Sequence, residues 1–149
     1  MQREFDMTAT VVPTYKLSDE GVMNALKACI AHARRLDAPV TISICDAGGG
    51  LLAAYRMDGS FLLSVESSLN KAVTAAAIRK LTGDADDTVA LKLGLATFGR
   101  QTNGLKGGVP IIVDGHCIGG IGAGSATGDQ DREIALAGLA AIADAQTEF

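Results

Sequence analysis

The chain has no tryptophan, two tyrosines and four phenylalanines among its 149 residues. With so few rings, the interior must be filled by small aliphatic side chains, and a wide aromatic ligand pocket finds thin lining. Histidine is as scarce. His32 and His116 lie far apart in sequence, so no local metal motif is formed, and no metal site is expected. The three cysteines, Cys29, Cys45 and Cys117, show no CxxC spacing and sit in apolar surroundings, where they read as buried free thiols rather than as nucleophiles.

Charge of one sign is also missing. Thirteen Lys and Arg oppose seventeen Asp and Glu, for a net charge of −4 and a pI near 5.0. The basic residues form no run longer than a pair such as Arg34-Arg35, which argues against nucleic acid as a partner. No apolar run is long enough to cross a membrane. The first residues, MQREFDM, carry acids and no apolar segment, so the expected location is the cytoplasm.

What is present fits one domain spanning residues 1–149, with 48% hydrophobic and 20% charged residues. Residues 1–16 read as an extended arm, since Pro13 opposes a continuing helix. Ser18 with Asp19 and Glu20 is a helix start. Val22, Leu26, Cys29, Ile30 and Ala33 then keep helical spacing to about Asp37, with His32 at the edge of the stripe. Residues Val40 to Cys45 and Leu51 to Arg56 read as strands joined through Asp46-Ala47-Gly48-Gly49-Gly50. Arg56 and Asp58 close that hairpin with two opposite charges. Such strand-end positions hold binding groups or plain solvated charges.

A second helix is expected over Phe61–Lys80, with Leu62, Val65, Leu69, Ala72, Val73 and Ala76 facing inward. Lys71 is out of place in it: its stem either snorkels along the surface or enters a pocket with Arg56 as an anion contact. A third helix begins within Asp84–Asp87 and runs through Val89, Leu91 and Leu95. Residues Phe98 to Lys106 suit a pocket rim or a plain connector.

The most organised stretch is Gly107 to Ala145. Val109–Val113 is a strand, Asp114-Gly115 a two-residue hairpin turn, and Cys117–Ala123 the return strand. Glycines at 119, 120, 122 and 124 imply either close packing of a helix or a ligand-facing strand. Thr127, Asp129 and Asp131 are helix starters, and Ile134, Ala137, Gly138, Ala141 and Ile142 form a stripe. Two hairpins and four helices predict an α+β architecture, one antiparallel sheet with helices covering a face.

The glycines match neither the dinucleotide fingerprint GxGxxG nor a phosphate loop, and no GxSxG elbow frames a serine. Catalytic motifs of high specificity are missing.

Taken together, Asp46-Ala47-Gly48-Gly49, Arg56-Met57-Asp58-Gly59, Asn70-Lys71-Ala72 with Thr74-Ala75, and Gly107-Gly108-Val109-Pro110 form a pattern. Gly115, Ile118-Gly119-Gly120-Ile121-Gly122 and Asp129-Gln130-Asp131 complete it. The whole resembles the GlcG / HbpS-like proteins, also described as haem-degrading-domain or PduO C-terminal-like proteins. Ser125-Ala126 departs from the Ser-Gly usual in that family after the last strand. The resemblance implies a profilin-like α+β fold, homo-oligomers (dimers or higher), and a small-molecule ligand. In some members that ligand is haem or a related tetrapyrrole. Ligand-proximal positions carried over are Arg56, Asp58, Lys71, Gly108 and Asp131.

Three functions follow. In a haem-binding protein, Arg56 and Lys71 would meet the propionates, the glycine strand would pass the flat ring, and His116 or His32 would approach the iron. In an enzyme on a small carboxylic acid (a hydrolase, isomerase or lyase-like member of a catabolic pathway), Arg56 or Lys71 would hold the carboxylate. Lys71, Asp58 and Asp131 are then the catalytic candidates, either carboxylate acting as acid or base. In a non-catalytic accessory subunit, assembly itself would be the function.

Overall fold

The structure, a computed structural model, describes residues 8–97 and 103–149. Its elements are α1 (Asp19–Arg35), β1 (Thr41–Asp46), β2 (Leu51–Arg56), α2 (Leu63–Ile78), α3 (Asp87–Ala96), β3 (Gly108–Val113), β4 (His116–Gly124) and α4 (Gly128–Ala140). The strands form one antiparallel sheet in the order β2-β1-β4-β3, so the two sequence hairpins meet through β1 and β4. The α+β fold expected from the sequence is the fold observed.

The predicted starts and turns carry their chemistry. Ser18 Oγ caps α1 by accepting from Gly21 N–H. Helix α1 stops at Arg35, short of the expected Asp37, which takes a positive φ of 50° beyond the cap. Asp114 (φ 48°) and Gly115 (φ 76°) make the β3–β4 turn, both in the left-handed region. Asp46 Oδ1 accepts from Gly48 and Gly50 N–H and so folds its own hairpin loop. Thr127, and not either aspartate, caps α4, with Gln130 completing a reciprocal capping box.

Helices cover both faces of the sheet, not one. Val40, Ile42, Ile44, Val109, Ile111, Ile121 and Ala123 face α1 and α4 and form the main core. On the other face α2 lies directly on β4 and β1. A side chain at Gly120 would strike the Ala72 carbonyl, and one at Gly122 the Ser68 carbonyl. The glycine strand is therefore a seat for the α2 backbone and not a surface for a flat ring. Close packing is the reading that holds.

That closeness rewrites the inner face of α2. Leu62 precedes the helix and is 71% exposed, and Val65 is 43% exposed. The buried residues are Ser64, Ser68, Lys71, Ala72, Thr74, Ala75 and Ala76. Where the helix lies nearest the sheet its side chains are small, and the Ser64 and Ser68 hydroxyls find partners on β1. Thr41 Oγ1 bonds Ser64 Oγ at 2.7 Å, and Ser43 Oγ bonds Ser68 Oγ at 2.8 Å. In α4 the buried set is Asp131, Ile134, Ala135, Gly138 and Leu139; Ala141 of the expected stripe is exposed.

Of the extended arm expected over residues 1–16, positions 1–7 lie outside the described residues, and Thr8–Lys16 form neither helix nor strand. Tyr15 ties the arm to the β3–β4 turn, its hydroxyl donating to Asp114 Oδ2 at 3.2 Å. Of the connector expected over Phe98 to Lys106, positions 98–102 lie outside the described residues. The rest is tied down: Asn103 N–H donates to Thr74 Oγ1, and Leu105 carbonyl accepts from Thr82 Oγ1.

Candidate functional site

Lys71 and Asp131 meet beneath the first residues of β3. Lys71 Nζ donates to Asp131 Oδ2 at 3.0 Å and to the Ala123 carbonyl at 2.9 Å. Their side chains are 5% and 3% exposed. Asp131 Oδ1 accepts from Ala126 N–H at 3.1 Å, so both carboxylate oxygens are engaged. Burial pushes the Asp131 carboxyl above its ordinary range, while Lys71 and the Ala126 amide pull against that shift. Lys71 thus neither snorkels to solvent nor shares a pocket with Arg56.

Glycine closes the site. A side chain at Gly107 (φ 126°) would meet the Ala123 carbonyl at 2.6 Å, Asp131 Cβ at 2.9 Å and Lys71 Cδ at 3.1 Å. One at Gly108 would collide with the Lys71 carbonyl. Thr82 holds this strand start in place: its backbone N–H donates to the Gly108 carbonyl at 3.0 Å, and its hydroxyl accepts from Gly108 N–H at 2.9 Å. Ser125, at φ 103°, turns the chain from β4 into α4 and accepts from Phe61 N–H at 2.8 Å. The Ser-Ala departure therefore leaves the serine in the strained position, with Ala126 contributing the amide that Asp131 needs.

Lys71, Gly108 and Asp131 are brought together; Arg56 and Asp58 are not part of that group. Arg56 ends the edge strand β2 opposite Thr41, is exposed, and donates to the Ser60 carbonyl at 3.2 Å. Asp58 is exposed in the following turn.

The histidines are separate again. His116 begins β4 while Gly124, in register with Thr41 and Arg56, ends it. Eight steps of extended chain put His116 about 26 Å from that end. One haem cannot reach His116 with its iron and Arg56 with its propionates in the same chain. His32 lies on α1, across the sheet from α2, where Arg35 Nη2 is 2.8 Å from Nδ1 and Glu133 is 3.5 Å from Nε2. His116 is half-buried, and the Tyr15 ring lies 5.1 Å away at 47°.

Sequence reasoning missed Tyr15, Thr82 and the serine pair Ser64 and Ser68. The serines had a signal: with Ala72 and Ala75 they form a small-residue stripe at helical spacing. Tyr15 and Thr82 had none, since both act on residues far along the chain.

An antiparallel sheet between helix layers, with a glycine strand seating one helix and a buried Lys-Asp pair at its end, defines a small α+β domain. A family model described as "Haem degrading protein HbpS-like" matches residues 17–140, and the chain belongs to that family. A 15.0 kDa protein of Citrobacter freundii, from the dhaT-dhaS intergenic region, is 38% identical over 73% of this chain and 80% of its own length. The corrinoid adenosyltransferase PduO of the same organism is 32% identical over 91% of this chain, which spans only 42% of that relative. A solved PduOC:heme complex superimposes with a TM-score of 0.81 and 31% identity, covering 91% of this chain and all of that one.

Proposed function

We propose that this chain is a small-molecule-binding protein whose ligand is haem or a related tetrapyrrole. One observation carries the reading: a relative solved as a haem complex matches this fold along that relative's entire length. The residues that fit such a ligand lie at the β3–β4 turn. His116 offers an imidazole to iron, and Tyr15 offers a ring beside it. Val11 and Val12, 84% and 55% exposed, and the exposed Lys16 flank Tyr15 in sequence and would supply apolar cover and a cation for a propionate. Haem would bring redox and oxygen chemistry to this surface when bound; the chain's own residues would hold and orient it.

Lys71 and Asp131 have a different part in this reading. Their charges are spent on each other, so they position Gly107–Gly108 and the start of α4 and do not touch ligand. The same closure argues against either as an acid or base in the enzyme reading. Arg56 and Asp58 remain accessible and would serve a second ligand contact, remote from His116. We further read the protein as a cytoplasmic homo-oligomer that takes no nucleic acid. No helix among the described residues is long and apolar enough to cross a membrane.

The test is a haem titration followed by absorbance, on the wild-type chain and on His116→Ala. A saturable Soret change with fixed stoichiometry, weakened at least tenfold by His116→Ala, is expected. No saturable change in the wild type would overturn the haem reading. An equal change in both would remove His116 as the iron ligand.

A further inference from the structure

Helix α3 buries none of its ten residues. Val89, Leu91, Leu93 and Leu95 are 50%, 65%, 44% and 64% exposed. At 100° per residue, Val89 and Leu93 share one side while Leu91 and Leu95 share the opposite side, so the helix is apolar on two faces. A helix lying on a protein surface keeps one polar face, and a helix apolar all round is enclosed. Ten residues are also too few to hold a helix in water without packing. Its near approach to the rest of the chain is at Ala90, against Gly104.

A second apolar surface lies at the start of α2. Phe61, Leu62, Leu63 and Val65 are 70%, 71%, 74% and 43% exposed. Leu62, Leu63 and Val65, with Glu66, line an open depression. These side chains are not needed in the core, because α2 seats on β4 through Ser64, Ser68 and Ala72 instead.

We propose that α3 is a docking arm for a second copy of this chain. In a two-fold pair, each α3 lies in the partner's Phe61–Val65 depression. The proposal rests on the homo-oligomer reading above and names the surface that makes it. Three observations select a second copy as the occupant. The two surfaces together expose on the order of 800 Å² of apolar side chain, about what one partner brings to a standard protein interface. Lys92, between Leu91 and Leu93, supplies a cation on the arm where Glu66 supplies an anion at the depression. Every copy carries both arm and depression, so two copies satisfy both in one closed, isologous pair.

The experiment is light scattering on size-separated full-length protein, with far-UV circular dichroism as a check on folding. It uses the wild type, a Leu91→Lys/Leu95→Lys variant of the arm, and a Leu62→Glu/Leu63→Glu variant of the depression. The wild type should run at twice the monomer mass or a multiple of that, and each variant alone should lose at least half the mass. Mixing the two variants should restore a dimer, because lysines on one arm then face glutamates in the other's depression while the second contact is unaltered. Misfolded variants could not produce that rescue. A monomeric wild type would overturn the oligomer reading itself. An oligomeric wild type whose variants both stay oligomeric would overturn only the assignment to α3. Loss from the arm variant alone, or two losses without rescue, would also sink the pairing of arm with depression.

Discussion

Replacing Lys71 by methionine tests the buried pair directly. The substitution keeps most of the side-chain volume and removes the charge, leaving Asp131 3% exposed with only the Ala126 amide on its carboxylate. Removing one partner of a buried ion pair costs about 3–5 kcal/mol, because the remaining charge is stranded. Against a typical total stability of roughly 5–15 kcal/mol, that is a large fraction. At about 2–4 °C per kcal/mol for a chain of this size, the midpoint of thermal unfolding should fall by about 10 °C.

The pH dependence follows from the same geometry. Without Lys71, burial acts on Asp131 with little opposition, so its folded-state carboxyl titrates above the unfolded one. The native state then holds a proton that the unfolded state has released, and stability falls as pH rises through that window. The Lys71→Met deficit should therefore be smaller near pH 4 than near pH 7. Urea unfolding of both proteins at the two pH values reads it. Lys71→Met/Asp131→Leu, which removes both charges, should recover most of the loss. A single-variant loss below about 1 kcal/mol at pH 7 would refute the reasoning, since a stranded buried carboxylate cannot be that cheap.

Gly122→Ala should destabilise by about 1–3 kcal/mol or more, because its Cβ would drive into the Ser68 carbonyl. Gly115→Ala, at φ 76° with open space around it, should cost only about 1 kcal/mol. Equal losses in urea unfolding would mean that α2 does not sit on β4 as described. Thiol labelling at pH 8 should reach the half-buried Cys117 first. Burial pushes Cys29 up to about 12 and Cys45 up to about 11, so both should stay unmodified until unfolding. Mass spectrometry after brief alkylation checks this, and early modification of Cys29 would contradict the packing of α1 on α4. Tyr15→Phe removes the hydroxyl bond to Asp114 and should speed proteolysis within residues 8–16, with the cleavage pattern of the remainder unchanged.

How much was legible in the chain depends on the range of the forces involved. The caps at Ser18 and Thr127, the Asp114-Gly115 turn, both hairpins and the order of elements are local. They depend on a few neighbouring residues, and those residues are present in the sequence in readable spacing. Even the close approach at β4 was announced by its glycines, though whether a helix or a ligand occupied the space was not. That choice needed the backbone of α2, about fifty residues earlier, laid against the strand. The inner face of α2 was misread for the same reason: hydrophobic periodicity assumes that the largest apolar side chains go inward, and where the helix sits on glycine the facing residues are serine and alanine. Leu62 and Val65 were left outside as a consequence.

The site divides along the same line. Lys71, Gly108 and Asp131 were each marked in the sequence, by an odd charge, a glycine pair and a helix start. Their meeting spans sixty residues and was decided by β3 and α4 converging at the end of β4, where low dielectric makes a lone charge untenable and a pair obligatory. The separation of Arg56 from His116, and the contact of Tyr15 with His116, were likewise set by strand order and by a chain segment returning from a distance. Local stereochemistry fixes elements, and it leaves undetermined which of them share a space; only the folded sheet, through excluded volume and the need to pair buried charge, made that assignment.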